Sequence, residues 1–301
     1  RRIDVSKAKA NPQVLAVVTG RDLRELWKAP LPIFAPLDDM VWVDRYPMAV
    51  EKANFAGEIV AAVVATSRYA ARDALELIQV DYEPLPAVVD IEKAAQKGSP
   101  VIHDKLGTNV AYEAKGSHGN PERAFREADG VVKARFEQPR LIPNAMEPRS
   151  AVADYTRSTD ELTLWSTTQN PHIERKVVSS VLGHPESRLR VIAVDVGGGF
   201  GSKINTYPEP IIACVLAKQL NRPVKWTEDR REHFLSAIHS RAQEHEVELA
   251  LRADGTILGL RDHFMIDMGA YNPLGLVQPY NSCAHLAGPY RVPALALEAE
   301  C

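Results

Sequence analysis

Cysteine is scarce in this chain: Cys214, Cys283 and Cys301 are the only three in 301 residues, and no two fall at CxxC spacing. That excludes a disulfide framework, a cysteine zinc site and an iron–sulfur cluster held by this chain. It suits a reducing compartment, so a cytoplasmic protein is expected, at most resting on the inner face of a membrane. No apolar run nears the ~20 residues that span a bilayer. A charge excess is missing too: 36 basic against 39 acidic residues leave a formal net charge of −3, which argues against a nucleic-acid binder with a basic face. The nine histidines form no HExxH pair, so the commonest zinc-hydrolase signature is absent. The chain opens on Arg1-Arg2, without Met and without the apolar stretch of a signal peptide; its first residue is expected not to be the natural N-terminus.

What is present is enough apolar material, 45% of residues, for two domains with real cores. Val14 to Thr19 and Glu58 to Ala65 read as buried strands. Ala71, Ala74, Leu75 and Ile78 recur at helical spacing after a Thr66 or Ser67 cap, and Gln79 to Tyr82 alternates like a strand before Pro84 and Pro86 stop it. Residues 98–121 read as a linker or crossing segment, followed by a helix from Pro121 to Ala128 capped by Asn120. The second half is denser in strands: Val131 to Phe136, Ala151 to Tyr155, Glu161 to Thr168, Leu189 to Val196 and Ala294 to Cys301. Between them, a helix starting at Asn170-Pro171 carries Ile173, Val177, Val178 and Val181 as an apolar stripe and closes at Gly183, and residues 209–220 form another helix. Asp254-Gly255 marks a hairpin between Glu244–Leu251 and Ile257–Asp267. The fold class is therefore α+β (mixed α/β).

The most informative segment is Val194-Asp195-Val196-Gly197-Gly198-Gly199-Phe200-Gly201-Ser202-Lys203. Four glycines in five positions follow an apolar strand, so the backbone is bare and its amides can approach a ligand and make an anion-binding concavity. Ser202 breaks both the dinucleotide fingerprint and the P-loop. A bulge or crossing point remains the bland reading of such a run. Upstream, Gln169 in Ser166-Thr167-Thr168-Gln169-Asn170-Pro171-His172 sits where a strand ends and a helix begins, the edge at which open α/β sheets place ligands. Its neutral carboxamide can donate a hydrogen bond without adding charge; an ordinary surface glutamine is the alternative.

Together these two motifs resemble the molybdenum-cofactor-binding large subunits of the xanthine dehydrogenase and aldehyde oxidase family, and most of all the carbon monoxide dehydrogenase branch. Ile3 to Ala10, Val80 to Pro86, Glu161 to Trp165 and Pro223 to Arg230 carry the same likeness in family order. The resemblance implies an α/β hammerhead-like domain over 1–115, a linker and short helix over 116–130, and the first part of a truncated molybdopterin-binding domain over 131–301. It implies a molybdenum–molybdopterin cofactor in cytosine dinucleotide form, with Fe-S and FAD on partner subunits: an iron–sulfur small subunit and an FAD-binding medium subunit, in a hetero-oligomer dimerised through its large subunits. Gln169 matches the glutamine that hydrogen-bonds an apical oxygen of the metal centre. Gly198, Gly199, Phe200 and Gly201 match the loop that packs on the cofactor. Phe200 either walls off the metal site or plugs the core; Lys203 either contacts a phosphate or is solvated.

Two departures bear on substrate. Where purine-oxidising members carry a glutamate after the loop lysine, this chain has Ile204; where they carry a substrate-binding arginine, alignment on Tyr290 to Pro293 places Asn281. Without that polar pair, xanthine is not the expected substrate. The family's general-base glutamate and its "AYR" loop are expected beyond Cys301, so no catalytic residue and no metal ligand is assigned within the chain, which alone should be inactive. Glu147 lies in a recurring family string and is read equally as a structural cap; His172 and His184 read as surface or capping residues, and Cys214 as an inert buried thiol. The implied activity is oxidation of a small substrate with water-derived oxygen, of carbon monoxide dehydrogenase type. An aldehyde or N-heterocycle dehydrogenase, and a non-catalytic binding or assembly module, stay open.

Overall fold

A computed structural model describes residues 2–34 and 36–301. The chain is mixed α/β and falls into two interleaved units, Arg1–Pro32 with Asp44–Leu85 and Ile142–Ile238, and Ile33–Val43 with Pro86–Leu141 and His239–Cys301. Among the described residues no helix is long and apolar enough to cross a membrane.

The first unit is organised by a four-stranded sheet in the order Val224–Thr227, Ser150–Thr156, Glu161–Ser166, Leu189–Ala193. Period-two alternation selects its buried face: Ala151, Ala153, Leu162 and Leu164 turn into the core. The last two strands run parallel, with Ser166 opposite Ala193, and a parallel pair needs a crossover. The helix Pro171–Leu182 supplies it, starting on Pro171 and ending in Gly183. Because the strands are parallel and in register, the segment leaving Ser166 and the segment leaving Ala193 emerge side by side from one edge of the sheet. These are the segments that carry Gln169 and the glycine loop. The helix Pro208–Leu220, buried through most of its length, completes the core with Ile211, Cys214 and Val215. Burial pushes the Cys214 thiol well up, as an inert thiol requires.

Smaller elements complete this unit. Val14–Thr19 pairs antiparallel with Ala61–Ala65, and the helix Arg68–Glu76 is capped by the Ser67 side chain, which accepts from Ala70 N–H. Arg2–Asp4 pairs with Gln79–Asp81. The second unit holds a five-stranded sheet, in the order Glu113–His118, Leu295–Glu300, Ile257–Ile266, Ser240–Leu251, Gly130–Leu141, over a core of Phe264, Ile266, Leu276 and Ala299. Its hairpin turns at Asp254-Gly255, where the Asp254 carboxylate accepts from Thr256 N–H at 2.9 Å. The helix Pro121–Arg126 is capped by Asn120, as read from the sequence, but ends earlier than Ala128.

Several boundaries differ from the sequence reading. The strand over Val131 to Phe136 runs from Gly130 to Leu141, and part of the segment read as linker is the strand Glu113–His118. The strands ending near Thr168 and Val196 stop at Ser166 and Ala193, because the chain leaves the sheet there toward Gln169 and the glycine loop. In the crossover helix Ile173 points outward, 39% exposed, and the buried stripe is Glu174, Val177, Val178 and Val181. A carboxyl group occupies the position that an apolar residue was expected to hold.

Candidate cofactor site

The glycine loop and Gln169 lock together. Gly201 N–H and Lys203 N–H both donate to Gln169 Oε1, at 3.1 and 3.2 Å, and Gln169 N–H donates back to Lys203 O at 2.9 Å. Two donors converging on one atom require it to be the oxygen, which fixes the orientation of the amide. The carboxamide NH₂ is therefore the outward end of an exposed side chain, a neutral donor with both of its acceptor bonds already made.

Gly199 makes this contact possible. A Cβ there would lie 2.5 Å from Gln169 Cδ and 2.8 Å from Gln169 Cγ, so the glutamine lies across the bare backbone. Gly201 serves a different need: nothing stands within 4 Å of its missing Cβ, but its φ is +89°, which L side chains adopt only with strain. Between them Phe200 has φ +50° and is 74% exposed, which removes the reading of it as a core plug. A non-glycine residue held in the left-handed region stores strain of the kind that gathers at functional sites. Among the described residues, the N–H groups of Gly198, Gly199 and Phe200 donate to no acceptor.

Lys203 is not a solvated lysine. Its side chain is fully buried, and Nζ is 2.7 Å from Glu147 Oε2. The aliphatic stem is covered and the charge is met by a carboxylate, a pairing that local hydropathy cannot reveal. Glu147 is likewise more than a cap. Its Oε2 also accepts from Gly197 N–H at 2.8 Å, while its own N–H donates to Gly197 O. Burial pushes the Glu147 carboxyl up, but the hydrogen bonds from Lys203 and Gly197 and the charge of Lys203 together hold it below the ordinary value. The preceding segment is pinned in turn by the Arg230 guanidinium, which bonds the Asn144 side chain, Ala145 O and Met146 O.

Beneath the loop lies a buried polar network with no counterpart in the sequence reading. Tyr207 donates from its hydroxyl to Ser202 O at 2.6 Å and stacks against the Arg149 guanidinium, 3.7 Å from the ring centroid. Arg149 in turn bonds Glu228, Glu209 and Ser236. Glu174, also buried, accepts from Ser166 Oγ at 3.1 Å, and its other oxygen has no partner among the described residues. It lines a water-sized void of about 10 Å³ with Ser166, Thr168, Lys203 and Tyr207. Burial drives the Glu174 carboxyl up to about 7, against a smaller downward pull from the Ser166 and Thr168 hydroxyls. His184 is not a surface residue but does cap its helix, its N–H donating to Ser179 O at 3.1 Å. It is buried, with Nδ1 facing Lys218 Nζ at 3.1 Å and Nε2 facing Arg188 O at 3.2 Å. His172 is exposed at the start of its helix, Ile204 is half-buried and Asn281 is exposed.

Among the described residues no three His, Cys, Asp or Glu side chains gather as a metal cage. What the site offers is an oriented carboxamide donor beside three unspent amides on a strained loop. That donor set fits a group rich in oxygen acceptors, as a molybdenum–pterin is.

Comparison with known proteins identifies the family. Residues 1–86 match the aldehyde oxidase and xanthine dehydrogenase a/b hammerhead domain, and residues 102–301 the molybdopterin cofactor-binding domain. The carbon monoxide dehydrogenase large chain of Afipia carboxidovorans is 39% identical over 90% of this chain and 34% of its own length. The 6-hydroxypseudooxynicotine dehydrogenase complex subunit gamma of Paenarthrobacter nicotinovorans is 36% identical over 97% of this chain and 37% of its own length. The crystal structure of quinoline 2-oxidoreductase from Pseudomonas putida 86 superposes with a TM-score of 0.93 at 39% identity, over 99% of this chain and 38% of that one. The chain thus spans a little over a third of the relatives it matches. It belongs to the aldehyde oxidase and xanthine dehydrogenase family, as part of a molybdopterin-binding large subunit.

Proposed function

We propose that this chain contributes one wall of the active site in a molybdenum hydroxylase of carbon monoxide dehydrogenase type, which oxidises a small uncharged substrate with oxygen taken from water. The observation that carries this reading is the Gln169 carboxamide, whose oxygen is spent on loop amides and whose NH₂ is left to donate beside the free N–H groups of Gly198, Gly199 and Phe200. When bound, the molybdenum–pterin group, in its cytosine dinucleotide form, supplies the two-electron oxidation. The chain's own residues orient it. Gln169 Nε2 would donate a hydrogen bond to an oxygen of that group without adding charge. The loop amides at 198–200 would offer the group further hydrogen bonds. Gly201 gives the loop its turn, and Phe200 shields the reacting side from water. The general base, on this reading, is a glutamate outside residues 1–301. Electrons leave through an iron–sulfur small subunit and an FAD-binding medium subunit, in a hetero-oligomer dimerised through the large subunits. Hammerhead-like residues 1–115 and cofactor-binding residues 131–301, joined through 116–130, form the part of the large subunit held here.

Ile204 and Asn281 favour a substrate with few polar groups over a purine, since neither offers the carboxylate or guanidinium that would hydrogen-bond a purine's polar edge. A second reading, N-heterocycle hydroxylation, is favoured by the likeness to quinoline 2-oxidoreductase, as high in identity as that to the carbon monoxide dehydrogenase chain. The full-length protein purified with its partner subunits decides between them when assayed with carbon monoxide, aldehydes and quinoline. Absence of molybdenum and of pterin nucleotide from that complex would sink both.

Gln169→Glu tests the role of the carboxamide better than Gln169→Ala. Alanine strands two loop amides and costs about 1–3 kcal/mol of stability on its own. Glutamate keeps an oxygen for Gly201 and Lys203 but deletes the donor. Hydrogen bonds to charged groups are worth about 1.5–3 kcal/mol, so kcat should fall about tenfold or more while the thermal midpoint moves little. Wild-type kcat in a molybdenum-replete Gln169→Glu enzyme would return Gln169 to an ordinary structural role.

A further inference from the structure

We propose that Glu147 and Lys203 are positioning residues: their ion pair, with the bond from Gly197 N–H to the same carboxylate, clamps both ends of the glycine loop and presents the amides of Gly198, Gly199 and Phe200 to the cofactor. This rests on the molybdenum–pterin reading of the site. The loop leaves the sheet after Ala193 and reaches Lys203 without a regular hydrogen-bond ladder, so something else must fix its course. Two side chains from distant segments do so. Gln169 takes the amides of Gly201 and Lys203, while Glu147 takes the amide of Gly197 and the ammonium of Lys203 on a single oxygen. The fixed points are thus residues 197, 201 and 203, and the three amides with no acceptor lie between the first two. The clamp defines which donors stay free.

Stability alone does not account for the pair. Lys203 is stripped of water at full burial while Glu147 stays a third exposed, and in general an ion pair with so costly a desolvation can be replaced by neutral side chains of similar volume at little cost or with a gain. Removing Glu147 alone is the costlier change, because it leaves the buried Lys203 charge unmatched, whereas removing Lys203 leaves a carboxylate that water still reaches. A purely structural pair and a positioning pair therefore behave alike as single variants and differently as a neutral double variant. Glu147 also fits its place closely: a Cβ on Gly197 would fall 2.6 Å from Glu147 Cβ, so the carboxylate's backbone is held against the loop it secures.

The test uses the full-length protein with its partner subunits, as E147Q, K203M and the E147Q/K203M double variant. Molybdenum and pterin nucleotide per chain, the thermal midpoint, and hydrogen–deuterium exchange in peptides covering residues 196–203 are measured. Both single variants should lose molybdenum at least threefold, and E147Q, which strands the buried ammonium, should lower the midpoint the more. The double variant should recover the wild-type midpoint to within a few degrees yet keep at least a threefold molybdenum deficit and faster exchange at the loop. Recovery of molybdenum together with the midpoint would overturn the proposal, as would a double variant that does not fold or an E147Q protein with full molybdenum and unchanged exchange. If the wild-type complex itself holds no molybdenum, the reading of the function fails, and the exchange data still decide whether the clamp exists.

Discussion

Gly199→Ala is expected to lower turnover of the full-length, metal-loaded enzyme by on the order of a hundredfold, the size of loss that a misplacement of about 1 Å can bring, and to reduce its molybdenum content with it. The added methyl collides with the Gln169 side chain, 2.5 Å from Cδ, rather than with the cofactor, as a loop that merely approaches a ligand would imply. Separations under about 3 Å cannot be held, so Gln169 must rotate away, and its bonds to Gly201 and Lys203 go with it. Gly201→Ala should behave differently. There is room for its methyl, and the cost is the positive φ, of order 1–3 kcal/mol, so the thermal midpoint falls before cofactor content does. A double-variant comparison separates the causes. If Gly199→Ala acts through Gln169, it should add little to the loss already caused by Gln169→Ala, since contacting residues are not additive. Full additivity, or a Gly199→Ala enzyme with wild-type molybdenum and kcat, would refute the contact as the reason for this glycine.

The sequence made the candidate site legible because two local signals are strong: a glycine run after an apolar strand, and a polar turn between a strand and Pro171. What it could not reveal was that the two strands are parallel neighbours with Ser166 opposite Ala193, the fact that brings Gln169 to the loop 32 residues away. Lys203 was misread for the same reason. Its partner Glu147 is 56 residues distant, and a lysine in isolation reads as solvated. Short elements such as Ser6–Lys9, Ile91–Ala95 and Arg230–Ser236 span too few turns for periodicity to register. The Asp229 cap and the Glu232 side chain that close a capping box on the last of these are a signal that was there to be read. The division of the chain into interleaved units has no local signature at all, since Ile33–Val43 groups with the distant His239–Cys301 through contacts that only the folded chain makes.

Glu174→Gln should stabilise the protein at pH 8 and leave it nearly unchanged near pH 4.5. In the unfolded chain this glutamate titrates near 4.5; in the fold, burial raises it to about 7. Below 4.5 the carboxyl is protonated in both states and costs nothing extra. Between 4.5 and 7 the unfolded chain gives up the proton that the folded chain keeps, so the unfolded state binds fewer protons and stability falls as pH rises. Above 7 both states are ionised and the full penalty is in place. At 1.36 kcal/mol for each unit, a shift of this size is worth about 3 kcal/mol. Glutamine cannot ionise and keeps an oxygen for the Ser166 hydroxyl, so the gap between the thermal midpoints of variant and wild type should open as pH is raised from 5 to 8. An equal gap at both values would mean that Glu174 titrates normally, and that the water-sized void beside it solvates the carboxylate. The placement gives the effect its functional weight. Glu174 is one turn into the helix that follows Gln169, and it holds Ser166 at the end of the strand before it. A charge forced into that position strains the turn that carries Gln169, so a fall in stability with rising pH should be felt first at the candidate site.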